Sequence, residues 1–140
     1  MHETDDIEIR VRQATTLACL LDAAYRAFEE MLTLIRAHDD PTTPRYVPMV
    51  LAGAHAANGR DWLGQAPSLP RSPFPLSALR RQAADPAPGQ DADRIASLCA
   101  TLADALAGPA AATASPRDQR ACAGAARCAQ DISDLVSERT

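Results

Sequence analysis

Lysine is absent from the 140-residue sequence, so all fourteen basic side chains are arginines. This bias follows codon composition, because thirty residues are alanine and the codons of Ala, Arg, Gly and Pro are rich in G and C. We therefore expect a high-GC bacterium as the source. The formal net charge of −4 argues against a nucleic-acid partner, since sequence-independent binding needs clustered cations that displace phosphate counterions.

Long apolar runs are scarce. The longest run without a charged residue, residues 46–59, is too short to cross a bilayer. The first ten residues, MHETDDIEIR, are acidic and polar, unlike a secretory signal peptide. We therefore predict a cytoplasmic protein that does not bind membranes. In that compartment its four cysteines are expected to be reduced thiols: Cys19, Cys99, Cys122 and Cys128.

Motifs that carry catalytic or metal-binding chemistry are missing from the sequence. There is no C-x-x-C pair and no His three or four residues after a Cys, so no zinc site is predicted. The sequence also lacks E-x-x-H, G-x-x-x-x-G-K, G-x-S-x-G and H-E-x-x-H. We predict no metal, no cofactor and no catalytic residue. An enzymatic activity stays open, but the sequence favours a non-catalytic protein.

Apolar residues recur with helical periodicity from residue 5 to residue 38. They alternate steps of four and three, which is the spacing of a heptad seam, and a second apolar line widens this seam to a broad face. The pattern predicts one continuous helix over 5–38. The seam residues are Ile7, Val11, Ala14, Ala18, Leu21, Tyr25, Phe28, Leu32 and Ile35.

Further helices are predicted after the turn-forming segment DDPTTP. The second helix, 47–63, has Pro48 in its first turn, where a missing N–H costs nothing. The third helix, 91–107, ends at Gly108 and Pro109. The last helix, 116–138, begins after Ser115 as N-cap, with Pro116 at its first position and Asp118 at its third.

The connector of residues 64–90 separates the second and third helices and is rich in proline. We expect a short extra helix, 76–84, within it. No segment alternates with period two over a useful length, so no strand is predicted. The sequence therefore predicts a single all-α domain, 1–140, folded as an up-and-down four-helix bundle. Its first helix is long, and a Pro-rich crossover containing the short helix joins helices 2 and 3.

The length of the predicted first helix suggests self-association. A helix over 5–38 is about twice as long as the second and third helices, so part of its apolar stripe would overhang the bundle. A wide apolar stripe does not stay exposed to water. We therefore expect a homodimer whose interface includes four residues of the first helix: Leu21, Tyr25, Phe28 and Leu32.

Aromatic residues make up only 4% of the chain, and Trp62, the only tryptophan, lies within the basic central region. Residues 41–90 carry two acids against five arginines, whereas the rest of the chain is acidic. His55 lies seven residues before Trp62, on the same face of the second helix. The candidate ligand-binding or partner-binding residues of this region are His55, Asn58, Trp62, Arg71 and Phe74.

Two classes of function fit these patterns. The first is a non-catalytic, homodimeric helical-bundle protein with an interaction or regulatory role, which could also bind another protein. The alternative is a small-molecule-binding protein, or an accessory enzyme, with a pocket between helix 2 and the Pro-rich connector. The connector itself could be a lid, a strap that binds a partner, or a loop that only packs on the bundle. No motif is specific enough to indicate a family.

Overall fold

The computed structural model describes residues 3–38, 40–70, 88–112 and 114–137. All regular structure among these residues is helical, which confirms the all-α prediction. The predicted short helix 76–84 lies outside the described residues, as do Arg71 and Phe74. The helices are α1 (Glu3–Gln13), α2 (Leu17–Arg36), α3 (Tyr46–Gly64), α4 (Pro88–Leu106), α5 (Pro109–Ala112) and α6 (Pro116–Ser137).

The predicted single helix over 5–38 is wrong, because the chain breaks between α1 and α2. The hydroxyl of Thr16 caps α2 by accepting a hydrogen bond from the backbone N–H of Cys19 at 3.2 Å. A threonine side chain competes with the helix for backbone donors, and two adjacent β-branched residues, Thr15 and Thr16, weaken the helix at this point. As a result α1 packs against both α2 and α4, and the Ser97 hydroxyl of α4 donates to the carboxylate of Glu8 at 3.0 Å.

The boundaries of the other predicted helices among the described residues lie within three residues of the prediction, and the predicted N-cap Ser115 forms. The N–H of Asp118 donates to the hydroxyl of Ser115 at 3.3 Å, which closes the start of α6. The Asp118 carboxylate accepts hydrogen bonds from the backbone N–H of Ser68 at 3.1 Å and from its hydroxyl at 2.6 Å. Burial alone would raise the pKa of the Asp118 carboxyl. The hydrogen bonds from Ser68 and Ser115 and the charge of Arg117 nevertheless hold this pKa below its usual value.

The four long helices α2, α3, α4 and α6 contact one another in a closed ring. α2 packs against α3 and α4, and α6 packs against the same two helices. Buried side chains from all four fill the interior, among them Phe28, Met49, Ile95 and Ile132. The short helix α5 contacts α2, α4 and α6.

Contacts between individual residues show how the helices run relative to one another. Phe28 meets Gly59 and Ile35 meets Gly53, so α2 and α3 are antiparallel. By the same test α2 is antiparallel to α4, and α3 to α6. The contacts that show this are Met31 with Cys99, His38 with Asp91, Trp62 with Gly124, and His55 with Asp131.

The predicted up-and-down order is therefore wrong at one step, because α3 and α4 run in the same direction. They lie diagonally across the ring, and each of them is antiparallel to α2 and α6. A short connection can only join antiparallel neighbours, whereas parallel helices need one that returns along the bundle. The sequence prediction assigned the connection over residues 64–90 to an alternating order, and most of that connection lies outside the described residues.

The predicted dimer interface is buried inside one chain. Leu21 and Phe28 are fully buried, Leu32 is almost so, and Tyr25 is half-buried against the core. The prediction that these residues meet a second copy is wrong, since their apolar surface already contacts the chain's own helices. The break before α2 also removes the overhang on which the prediction depended. The oligomeric state itself stays a prediction.

Small residues allow α3 and α6 to approach closely. Both helices bury alanines in the core, Ala52 and Ala56 in α3 and Ala121, Ala125 and Ala129 in α6. Two glycines accept aromatic rings directly on their backbone. A Cβ atom on Gly59 would lie 2.4 Å from the ring of Phe28, and one on Gly124 would lie 2.3 Å from the indole of Trp62. Large aromatic rings therefore pack directly against the helix backbone at these two glycines.

One described stretch, Gln90–Ala112, is long and apolar enough by composition to cross a membrane, with a mean hydropathy of 1.4. Core helices of soluble proteins pass the same test, so this composition is weak evidence. The large apolar residues of the stretch form one face, which is buried against α2 and α6. They are Ile95, Leu98, Leu102 and Leu106.

Candidate binding groove

The predicted pairing of His55 with Trp62 on one face of α3 is confirmed, and this face meets α6. The Nδ1 atom of His55 lies 3.8 Å from a carboxylate oxygen of Asp131, and the indole of Trp62 covers Gly124. Asn58 is exposed and lies between them on the surface of α3, three positions after His55 and four before Trp62. The three candidates therefore share one side of α3, and their role in binding stays a prediction.

A groove of about 300 Å³ lies on the other side of α3, between α2 and α3. It lies at the end of the ring where α2 stops and α3 begins. Gly53 helps to keep it open, because a Cβ atom at this position would already approach the side chain of Ile35 to 3.3 Å. The residues that line the groove are Leu32, Ile35, Arg36, His38, Tyr46, Val50, Gly53 and Ala57.

His38 is the one groove residue with a buried ionisable partner in the described part of the chain. Its Nε2 atom lies 2.8 Å from Oδ2 of Asp91, and both side chains are only 7% exposed. The guanidinium of Arg94 lies 3.4 Å from the other oxygen of Asp91. This pair joins the end of α2 to the first turn of α4, so the role of the His38 ring is to hold two helices together.

The outer side of α3 exposes large apolar residues next to the groove. Val47 is 63% exposed, Val50 is 51% exposed and Leu51 is 48% exposed. These three residues are here called the α3 patch, and Val50 and Leu51 are surface neighbours of Val47 because they follow it by three and four positions. Val50 belongs to both the patch and the groove lining.

The sequence contained a signal for this patch. The segment YVPMVLAGA is apolar all round the helix, whereas a helix with a single buried face has polar residues on its other side. Met49, Ala52 and Ala56 form the buried face of α3, which leaves Val47, Val50 and Leu51 largely exposed. The charge-free run over 46–59 thus indicated a second apolar face.

The cysteine thiols differ sharply in their surroundings. Burial raises the pKa of Cys99 to about 12 and that of Cys122 to about 11. The pKa of Cys128 is also raised, first by burial and then by the nearby Asp131. Cys19 is exposed.

No group of three His, Cys, Asp or Glu side chains within the described ranges could hold a metal ion.

We expect one thiol per native chain to react rapidly with a disulfide reagent such as DTNB, and all four to react after unfolding in urea. The thiolate is the reactive form, so burial and a raised pKa protect the other three cysteines. A Cys19→Ser variant should lose the rapid phase and keep the slow one. Rapid modification of a second thiol in the native Cys19→Ser variant would contradict the buried positions of Cys99, Cys122 and Cys128.

No family model matches this sequence, and no curated protein and no solved structure matches it. The α3 patch and the groove beside it are the features of the described residues that indicate a function.

Proposed function

We propose that this protein is a non-catalytic interaction protein that forms a homodimer through the α3 patch. Its scaffold would be a four-helix bundle of α2, α3, α4 and α6, with one Pro-rich crossover between α3 and α4. The observation that carries the proposal is the exposure of three adjacent large apolar residues, Val47, Val50 and Leu51. Contiguous exposed apolar surface on a small protein marks an interaction site more often than single exposed residues do.

A second copy of the chain suits this surface. A two-fold interface uses the same patch on both subunits, so the patch must complement itself. The outward positions of α3 from Val47 to Ala54 carry no charge, and two such faces can pack without placing like charges together. Ala54 is small and exposed, which leaves room for a larger side chain of the facing helix. We place the dimer in the cytoplasm.

We expect the wild-type protein to elute as a dimer of twice the 14.9 kDa chain mass in size-exclusion chromatography with light scattering. A Leu51→Glu variant should be monomeric at the same concentration, because two carboxylates would face each other across an apolar contact. Asn58→Glu is the matched control, since Asn58 is exposed on the same line of α3 two turns beyond the patch. This control should remain dimeric.

Two results would overturn the proposal. One is a wild-type protein that stays monomeric up to several hundred micromolar. The other is a Leu51→Glu variant that dimerises as tightly as the Asn58→Glu control. Thermal unfolding followed by circular dichroism should give similar midpoints for both variants, because both side chains lie on the surface. A folding defect is thereby separated from a loss of association.

The second candidate function is small-molecule binding, and the groove between α2 and α3 favours it. Its volume of about 300 Å³ lies at the lower end of the range of known ligand sites, roughly 300–1,000 Å³. Its position differs from that of the predicted pocket around His55 and Trp62. A protein that only binds a small molecule in this groove would need no catalytic residue.

A further inference from the structure

We propose that the groove between α2 and α3 binds an amphipathic monoanion, namely a carboxylate with an unbranched aliphatic tail. This inference deepens the second candidate function and depends on it. The tail would lie on the apolar floor, which consists of Leu32, Ile35, Val50, Gly53 and Ala57. The carboxylate would meet the guanidinium of Arg36 at the rim.

The shape of the groove favours a chain over a bulky ring system. Val50, Gly53 and Ala57 follow one another along the same side of α3 and cover about two helical turns, or roughly 10 Å. Leu32 and Ile35 form the facing wall on α2. A trough between two antiparallel helices is long and narrow. An aliphatic tail can extend along it and bury each methylene in turn.

The charges around the groove favour an anionic head group. Arg36 lies at the last position of α2, is exposed, and forms no ion pair with any described residue. The groove lining contains no Asp or Glu, and the carboxylate of Asp91 behind it is held by His38 and Arg94. Arg36 is therefore the permanently charged side chain of the groove lining, although the whole chain is acidic.

A carboxylate matches these groups better than other head groups do. The planar guanidinium of Arg36 can donate two parallel hydrogen bonds to the two oxygens of one carboxylate. Tyr46 also lines the groove and supplies a hydroxyl that can donate a further hydrogen bond. A quaternary ammonium head would meet like charge here, and a neutral alcohol would leave the guanidinium without a partner.

Titration calorimetry of the full chain tests the proposal with three probes of equal tail length, used below their micellar concentrations. The probes are decanoate, decanol and decyltrimethylammonium. We expect decanoate to bind at least ten times more tightly than decanol and decyltrimethylammonium not to bind. The Arg36→Gln variant should lose this tenfold preference, whereas Arg45→Gln should keep it. Arg45 is an exposed arginine just before α3 that does not line the groove.

A Gly53→Val variant tests whether the aliphatic tail of the probe lies on the floor of the groove. A larger side chain at Gly53 would fill the floor next to Ile35, so binding of both decanoate and decanol should weaken at least tenfold. A Gly64→Val variant is the control, because a Cβ atom on Gly64 meets nothing within 4 Å. Circular dichroism of each variant confirms that the helices are retained.

The binding results separate the contribution of the anionic head group from that of the apolar groove. Equal binding of decanoate and decanol, both sensitive to Gly53→Val, would overturn the anionic head group but keep the groove as a small-molecule site. The absence of binding by all three probes would overturn both this inference and the second candidate function. Light scattering under the same conditions reports on the dimer through the α3 patch. The dimer proposal is therefore tested independently of ligand binding.

Discussion

Replacing Gly59 with alanine is expected to destabilise the fold by about 1–3 kcal/mol, the usual range for overpacking a core. The added Cβ atom would lie 2.4 Å from the ring of Phe28, and other ring atoms lie within 2.9 Å. Phe28 is fully buried, so its ring cannot move away without displacing the neighbouring helix. Urea unfolding followed by circular dichroism measures the loss as a lower midpoint.

The matched control for this change is Gly64→Ala in the same helix. Nothing lies within 4 Å of a Cβ atom at Gly64, so the substitution should be neutral or stabilise the protein by up to about 1 kcal/mol through helix propensity. Adding Phe28→Leu to Gly59→Ala should restore part of the lost stability, although Phe28→Leu alone is destabilising. If Gly59→Ala were as stable as Gly64→Ala, the close approach of α2 and α3 would be disproved.

Replacing Asp91 with alanine is expected to cost about 3 kcal/mol, because it leaves a buried polar partner unsatisfied. The carboxylate of Asp91 lies 2.8 Å from His38 and 3.4 Å from Arg94, and the His38 side chain is only 7% exposed. Without this carboxylate the buried imidazole loses its bond and the start of α4 loses its link to α2. Urea unfolding measures the change at pH 7.

Asp93→Ala controls for the loss of an acidic residue near the start of α4. Asp93 is exposed, and its removal should change stability by no more than about 0.5 kcal/mol, as is usual for surface positions. The double variant His38→Ala with Asp91→Ala should lose less than the sum of the single variants, since removing both partners leaves no orphaned group. Full additivity of the two single effects would contradict a direct interaction.

The sequence predicted most of the helices because their signals are local. The end of α4 before Gly108 and the start of α6 after Ser115 depend on chemistry within one turn. The break before α2 escaped prediction, because α1 and α2 both face the core and the apolar period continues across residues 14–16. In this segment the hydroxyl of Thr16 caps the start of α2. The periodicity of apolar residues does not detect such a helix cap.

Helix directions and neighbours required information that a sequence pattern does not contain. The shared face of His55 and Trp62 could be predicted from their spacing, but spacing does not identify the helix that packs against it, which is α6. The groove depends on Gly53, a position where the absence of a side chain can either bring two backbones together or leave space between them. Ile35 on the facing helix decides between these possibilities.

The contact between Trp62 and Gly124 gives the protein its own optical probe. Trp62 is the only indole, and its ring rests on the backbone of α6, sixty-two positions further along the chain. Its emission therefore reports specifically whether the last helix has docked on α3, whereas circular dichroism reports all helices together. In a stopped-flow refolding experiment, the delay between the two signals would time this long-range step without any introduced label.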